Sequence, residues 1–492
     1  MTFVTDTLSN PSVSAPAKKT SSESYLLRPR HPTNPHNLIY ATKPLPKEAD
    51  VVIIGSGITG ASIARSLLQD RISEPSSPST PSIFCSGATG RNGGHILETA
   101  DEYGVFADLL GADAARKLIR FRLVHLQEIL TVAEELGITA ETQARKVQFL
   151  SVYFDDELWK AALARMYRFQ EDMPEEAVEW TAYEGDDIPK EFGLTRARGV
   201  IPGPAGALWP SKFVTGVLSR LLTIFPDDFR VEENTPVTAV HDELFCSDGP
   251  RYRVETGKGT ILARHVIHCT NAHVGHLVPG LRGRVFPVRG QMSAQTPGDN
   301  FANQAAKHSW LFNYDRGFDY MTQLPGGQIM LGGGFAQGEG GGIADLGVSA
   351  DSDLSLYVDI HLSGALRAIF GGTSWGCVQG DPVQAMWTGS MGFSMDGFPW
   401  VGRLSGAVTG RSELESGGCE WVCAAFGGEG MVQTWLCGKA LATMLLAQDT
   451  SLGRMVSMDL SWFPGQLLVS EKRFDEAVLP LGVGGDLQKA NL

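Results

Sequence analysis

Four β-branched residues in a row, Val51-Val52-Ile53-Ile54, follow Asp50 without a polar interruption. Such a run suits a strand buried on both faces of a parallel sheet. The period then changes: beyond three glycines, Ala61, Ile63, Ala64, Leu67 and Leu68 recur at helical spacing. Asp113 to Leu136 reads as a long amphipathic helix with Ile119, Leu123, Leu126, Leu130 and Ala133 along one face, stopped at Gly137. Further helices are expected over 155–171 and 212–222, and strands over 229–232, 236–241, 252–256 and 260–262. The apolar segment from His265 reads as a second buried strand running into the polar turn Thr270-Asn271-Ala272. Residues 282 to 335 alternate as an antiparallel sheet does, and near the end a strand over 421–425 leads through a glycine turn into a helix over 432–446. The first 22 or so residues, rich in Ser, Thr, Pro and Lys, bury little and read as a disordered tail.

The glycines after Ile54 carry the first chemical signal. Gly55, Gly57 and Gly60 stand as G-x-G-x-x-G between the predicted strand and helix. That context lets the chain turn sharply, a pyrophosphate approach the backbone, and the helix pack on the strand. The phosphates would sit on free N–H groups at the helix N-terminus. A dinucleotide-binding unit should next supply a second strand ending in an acid for a ribose hydroxyl. Here there is instead a Ser/Pro loop, Glu74 to Ser82, and a stunted apolar run at Ile83-Phe84-Cys85. Glu74 stands near the right distance. Ser86 to His95 then forms a second small-residue loop, whose glycines allow close backbone approach and whose Arg91 could neutralise charge; a plain glycine turn is the alternative.

Composition narrows the class. With 492 residues, 43% hydrophobic and 20% charged, the chain is long enough for two domains or one with an insertion. A net charge of −14 and the lack of a basic block with interleaved aromatics argue against nucleic acid as a partner. Seven cysteines show no C-x-x-C pairing and no metal-ligand spacing, as expected of reduced, buried thiols, so no metal is expected. No apolar stretch is long enough to span a bilayer, and with no signal core or glycosylation sequon the expected location is the cytoplasm.

Five separated segments carry a resemblance to the FAD-dependent oxidoreductases of the D-amino-acid oxidase and sarcosine oxidase superfamily. They are Gly55 to Gly60, Ser86 to His95, Thr270-Asn271-Ala272, Asp396-Gly397-Phe398-Pro399 and Gly427 to Met431. Within that group the chain is similar to fungal relatives of γ-glutamylputrescine oxidase. The resemblance implies FAD as cofactor and an α/β fold: a Rossmann-type FAD-binding domain with an interleaved α+β substrate domain built on an antiparallel sheet. The expected division gives 25–100, 203–278 and 385–475 to the FAD domain and 101–202 and 279–384 to the substrate domain, between tails at 1–24 and 476–492. The cofactor-binding residues it implies are Gly55, Gly57, Ile58, Thr59, Gly60, Ser86, Thr89, Arg91, Asn92, Gly93, Gly94, His95, Val237, Thr270, Asn271, Asp396, Gly397, Gly428, Glu429, Gly430 and Met431. Family members carry a full second strand ending in Leu-Glu-Ala-Arg or similar, and that strand is missing here. Either Glu74 and local loops substitute, or the ribose is held by fewer contacts, or FAD binds poorly.

The reaction implied is hydride removal from the carbon beside a substrate amine, hydrolysis of the imine, and reoxidation by oxygen or another acceptor. Its partner is a small amine or amino-acid-like molecule. Tyr320, Arg289 and Trp387 are the candidates for substrate contact. Their structural alternatives are a sheet-face aromatic for Tyr320, a salt bridge for Arg289 and core packing for Trp387. His95 reads either as a packed, hydrogen-bonded histidine or as a covalent flavin link. The rival functions are an NAD(P)-dependent reductase and a flavin-fold protein that has lost its cofactor.

Overall fold

The computed structural model describes residues 2–4 (backbone only), 44–69, 85–194, 196–243, 251–414, 417–452 and 458–478. Glu74 and the short apolar run before Cys85 lie outside them. In chain order the strands are β1 (Thr2–Val4), β2 (Glu48–Ile54), β3 (His95–Leu97), β4 (Arg145–Tyr153), β5 (Tyr183–Glu184), β6 (Gly199–Ala207), β7 (Arg230–Glu232), β8 (Val237–Glu243) and β9 (Arg251–Thr256). They continue with β10 (Gly259–His268), β11 (Val285–Gln295), β12 (His308–Asn313), β13 (Phe318–Gln323), β14 (Ile329–Gly333), β15 (Val383–Ser394), β16 (Trp400–Arg403) and β17 (Glu420–Ala424). The longer helices are α1 (Ile58–Leu68), α2 (Ala112–Glu135), α3 (Asp156–Asp172), α4 (Pro210–Ile224), α5 (Leu356–Trp375) and α6 (Thr434–Gln448).

Among the described residues the first sheet has the order β16-β17-β10-β2-β1-β7, with β8 and β9 attached beside β10. From β17 to β7 its neighbours are parallel. Along β2, Val51 and Ile53 enter one apolar cluster with α1, α4 and α6, while Val52 and Ile54 enter another with Val237, Val254 and Val266. Burial on both faces is why the run has no polar alternation. The second sheet, order β15-β11-β14-β13-β12-β4-β6-β3 with β5 on β6, is antiparallel except where β12 meets β4. One of its faces packs on α5 through Trp310, Phe312, Met321 and Leu331 against Leu362, Leu366 and Phe370. Among the described residues, no helix is long and apolar enough to cross a membrane.

Three findings depart from the sequence-based expectations. Thr2–Val4, expected in an unstructured tail, is a parallel strand between β2 and β7. His95–Leu97, Gly199–Ala207 and Val383–Ser394 all belong to the second sheet, so segments expected wholly or mainly in the FAD domain contribute strands to both. The buried face of α2 runs through Ile119, Arg122, His125, Ile129 and Val132, while Leu123, Leu126 and Leu130 are only half-buried along its flank. Two polar side chains thus lie among the apolar residues of that buried face.

Candidate active site

The site begins where β2 ends. Gly55 has φ +114°, and a Cβ there would stand 2.5 Å from the Cys269 carbonyl oxygen at the end of β10, so no side chain fits. Gly57 precedes α1, whose first turn carries neither a side-chain cap nor an acid. The Ile58 N–H donates to Thr89 Oγ1 at 3.1 Å. Thr59 and Gly60, in the same first turn, present N–H groups beyond the reach of intrahelical bonding. This uncapped N-terminus suits a pyrophosphate, and Thr89 ties it to the second glycine loop.

That loop is braced from within and from the second sheet. Arg91 Nε donates to the Ser86 carbonyl at 2.8 Å and Nη1 to the Thr388 carbonyl at 2.7 Å, and Asp351 pairs with the same guanidinium at 3.1 Å. Asn92 Nδ2 donates to the Ala88 carbonyl at 3.0 Å, while its Oδ1 accepts the Gly94 N–H at 2.8 Å. Trp387 Nε1 donates to the Arg91 carbonyl at 2.7 Å, and Thr322 Oγ1 to the Gly93 carbonyl at 2.9 Å. Gly94 has φ +71°, and its Cβ would stand 1.8 Å from the Leu208 carbonyl oxygen. Arg91, Asn92 and Trp387 are therefore positioning residues, which set the loop backbone.

Strand pairing defines what faces this loop. Met292 pairs with Gly332 and Trp387, and Gly332 with Tyr320; the next row joins Ala294, Met330 and Thr322. Directly paired residues share a face, so Tyr320, Met292, Met330 and Trp387 lie together, in one apolar cluster with Trp209 and Leu324. His95 belongs to the same side, its Nε2 2.7 Å from Ser309 Oγ. Burial lowers its pKa to about 3, so the ring is neutral, and Nδ1 is buried without a partner among the described residues. Tyr320 is pushed up to about 12 by burial and by Asp319, which keeps its phenol protonated. No described residue hydrogen-bonds that hydroxyl.

Arg289 does not join this face. It lies one residue out of step with Gly290 and Met292, and its Nε and Nη2 hold Asp345 Oδ1 at 2.7 and 2.6 Å on the α5 side. It is a structural ion pair, as its alternative reading held, and leaves the substrate-contact set. Trp387, fully buried, likewise acts through packing and the Arg91 carbonyl.

The remaining segments close the site. Asn271 Oδ1 accepts the N–H groups of Ala425 and Phe426 at 2.9 and 3.3 Å, joining the ends of β10 and β17. Thr270 Oγ1 beside it is buried without a partner among the described residues. Val237 is buried at the start of β8, just before a bulge. Asp396 was expected to touch cofactor, but its carboxylate is committed to Arg473, with Nε–Oδ2 2.6 Å and Nη2–Oδ1 2.9 Å. Burial opposes its ionisation, yet that guanidinium holds it below the usual range. Gly397 lies in the turn that Asp396 anchors. Gly427 N–H donates to the Gly392 carbonyl at 2.8 Å, and Gly428 lies against Met391 and Phe393. A 3₁₀ turn, Gly430–Val432, precedes α6, and Met431 packs on the first-sheet core. The expected helix start near Met431 thus shifts to Thr434, where His125 Nε2 accepts the Trp435 N–H at 2.9 Å.

Glu429 makes an ion pair with Arg122, which also pairs with Glu98 and, at 3.5 Å, with Glu102. Three carboxylates thus surround one buried guanidinium beneath the closing loop. Burial, countered in part by Arg122, raises Glu98 well above the carboxylate range and Glu102 to about 7. From an unfolded value of about 4.3, a raised folded pKa means that stability is present while the group is protonated and is lost as pH rises to about 7. Glu102→Gln should therefore flatten the fall in Tm between about pH 5 and 8, measured by melting across pH. An unchanged profile would remove Glu102 as the titrating group. Sequence patterning missed this cluster and His125 because it scores Arg and His as solvent-facing; their spacing with Ile119 and Ile129 on one helix face was the available signal.

The residues present fit a flavin dinucleotide: a helix N-terminus without a side-chain N-cap beside a glycine turn, a second loop with four glycines whose Arg91 side chain is tied to Ser86, Thr388 and Asp351, and buried polar atoms on Thr270 and His95 without a partner among the described residues. Over 441 residues the chain is 22% identical to the probable oxidoreductase OrdL of Rhizobium meliloti (strain 1021), covering 88% of this chain and 91% of that protein. Glycine oxidase from Geobacillus kaustophilus shares the fold with a TM-score of 0.60 at 16% identity, over 86% of this chain and 99% of its own. L-Proline dehydrogenase from P. horikoshii does so with a TM-score of 0.59 at 18% identity, over 83% and 96%. Residues 50–444 match the family described as FAD dependent oxidoreductase, a span that holds all five motif segments and most of both sheets. The chain belongs to that family and is an FAD-dependent oxidoreductase.

Proposed function

We propose that this enzyme oxidises the C–N bond of a small amine or amino-acid-like substrate. The observation that carries the reading is the sheet face of Met292, Met330, Trp387 and Tyr320 laid against the second glycine loop, where the Thr322 hydroxyl is engaged with Gly93, His95 with Ser309, and the Tyr320 phenol is hydrogen-bonded by no described residue. When bound, FAD would supply the electron sink for a hydride from the carbon beside nitrogen, with oxygen or another acceptor as the final oxidant. The substrate nitrogen gives up a proton as the C=N bond forms, and water then splits the imine to a carbonyl compound and the free amine or ammonia. The apolar face excludes water from the reacting carbon, and the Tyr320 hydroxyl, protonated at working pH, donates a hydrogen bond that orients the substrate. Neutral His95 stays hydrogen-bonded to Ser309. The likeness to proteins named glycine oxidase and L-proline dehydrogenase supports small substrates of this kind.

The test is an absorbance spectrum of the purified enzyme followed by a screen of amines and amino acids, read as flavin bleaching without oxygen and peroxide release with it. Bleaching by compounds with a C–H beside nitrogen is the expected outcome; reduction by nicotinamide cofactors alone would overturn the reading. Tyr320→Phe should lower kcat roughly tenfold, the loss of one hydrogen bond, with flavin content unchanged. Wild-type kinetics would remove Tyr320 from the site.

A further inference from the structure

The slot beside β2 is the feature that the family likeness leaves unexplained. In a dinucleotide-binding sheet the strand that follows the first helix lies between the first and third strands. Here β2 holds the first position and β7 the third, and the strand between them is Thr2–Val4. It is parallel to both, with Val4 opposite Ile54 on one side and Glu232 on the other. Its C-terminal end therefore reaches the edge of the sheet where Gly55 turns toward α1, the edge on which the pyrophosphate site is built. The chain between α1 and Cys85 carries Pro75, Pro78 and Pro81, and proline cannot donate to a central ladder. Thr-Phe-Val has the β-branched and aromatic character that a central strand favours.

We infer that the amino-terminal segment serves as the second strand of the FAD-binding domain, and that tight cofactor binding depends on it. With the slot vacant, the facing backbone groups of β2 and β7 lose their partners, and a buried unpaired backbone group costs as much as a lost hydrogen bond. β7 would also be left without its one neighbour among the described strands. The wall supporting Gly55 and α1 then loosens, and the pyrophosphate site loses its fixed geometry. This inference rests on the family's cofactor and is independent of the substrate.

Two measurements on the full-length protein test it. In hydrogen exchange of the wild-type holoenzyme, the amides of Phe3 and Val4 should be protected on the timescale of those in Val51–Ile54; immediate exchange overturns the inference whatever any variant does. Phe3→Pro, which removes one ladder donor, should weaken FAD binding by about tenfold or more, read by flavin fluorescence on dilution, and lower Tm. Unchanged FAD affinity and Tm in Phe3→Pro overturn it equally. Should that variant fail to fold, a deletion of residues 1–10 supplemented with a synthetic peptide of the same residues replaces it. Recovery of FAD binding on adding the peptide supports the inference, and failure to recover overturns it.

Discussion

Arg122→Met is expected to destabilise the protein by ~3–5 kcal/mol, because it breaks the buried Arg122–Glu98 pair and leaves the Glu98 carboxyl without its partner. The Arg122 side chain is 5% exposed and Glu98 is 3% exposed, so water cannot replace the lost partner. The effect should reach the cofactor, since Glu429 lies in the closing loop between Gly427 and Met431. Melting should drop by about 3–5 °C, and flavin should dissociate faster. Adding Glu98→Gln should restore part of the loss, as it removes a buried acid that has lost its partner. A Tm within a degree or two of wild type would mean that the cluster is solvated, contrary to the structure.

Gly55→Ala should yield protein without flavin. A side chain at φ +114° is strained by about 1–3 kcal/mol, and its Cβ would lie 2.5 Å from the Cys269 carbonyl oxygen. That oxygen belongs to the backbone at the end of β10 and cannot swing away as a side chain can. The turn must move, and with it the first N–H groups of α1. FAD affinity should fall by about 100-fold or more, equivalent to ~2.7 kcal/mol, measured by titrating apoprotein with FAD. Normal flavin content at purification would show that the β2–α1 turn tolerates displacement and that the dinucleotide is held elsewhere.

Much of the framework was legible in the chain itself. The α2 helix spans Ala112–Glu135 against an expectation of 113–136, and α3 spans Asp156–Asp172 against 155–171. The antiparallel region expected over 282–335 holds β11, β13 and β14, together with β12. What local patterning could not show was partnership across the fold. Arg289 and Tyr320 sit on neighbouring alternating segments, and only the β11–β14–β13 register reveals that they face opposite sides. Asp396 stands in a motif expected at the cofactor, yet its carboxylate meets Arg473 from 77 positions away.

The sequence by itself determined the elements, the glycine turn and the order of the motif segments, because apolar period and backbone freedom are local properties written residue by residue. Tertiary structure alone decided which polar side chains are buried together, which face of the second sheet meets the cofactor loop, and that Thr2–Val4 fills the place beside β2. Those outcomes depend on strand register and on pairing between residues tens to hundreds of positions apart. A vacant sheet position is filled by whatever compatible strand the chain can bring to it, and no local pattern records which one that is.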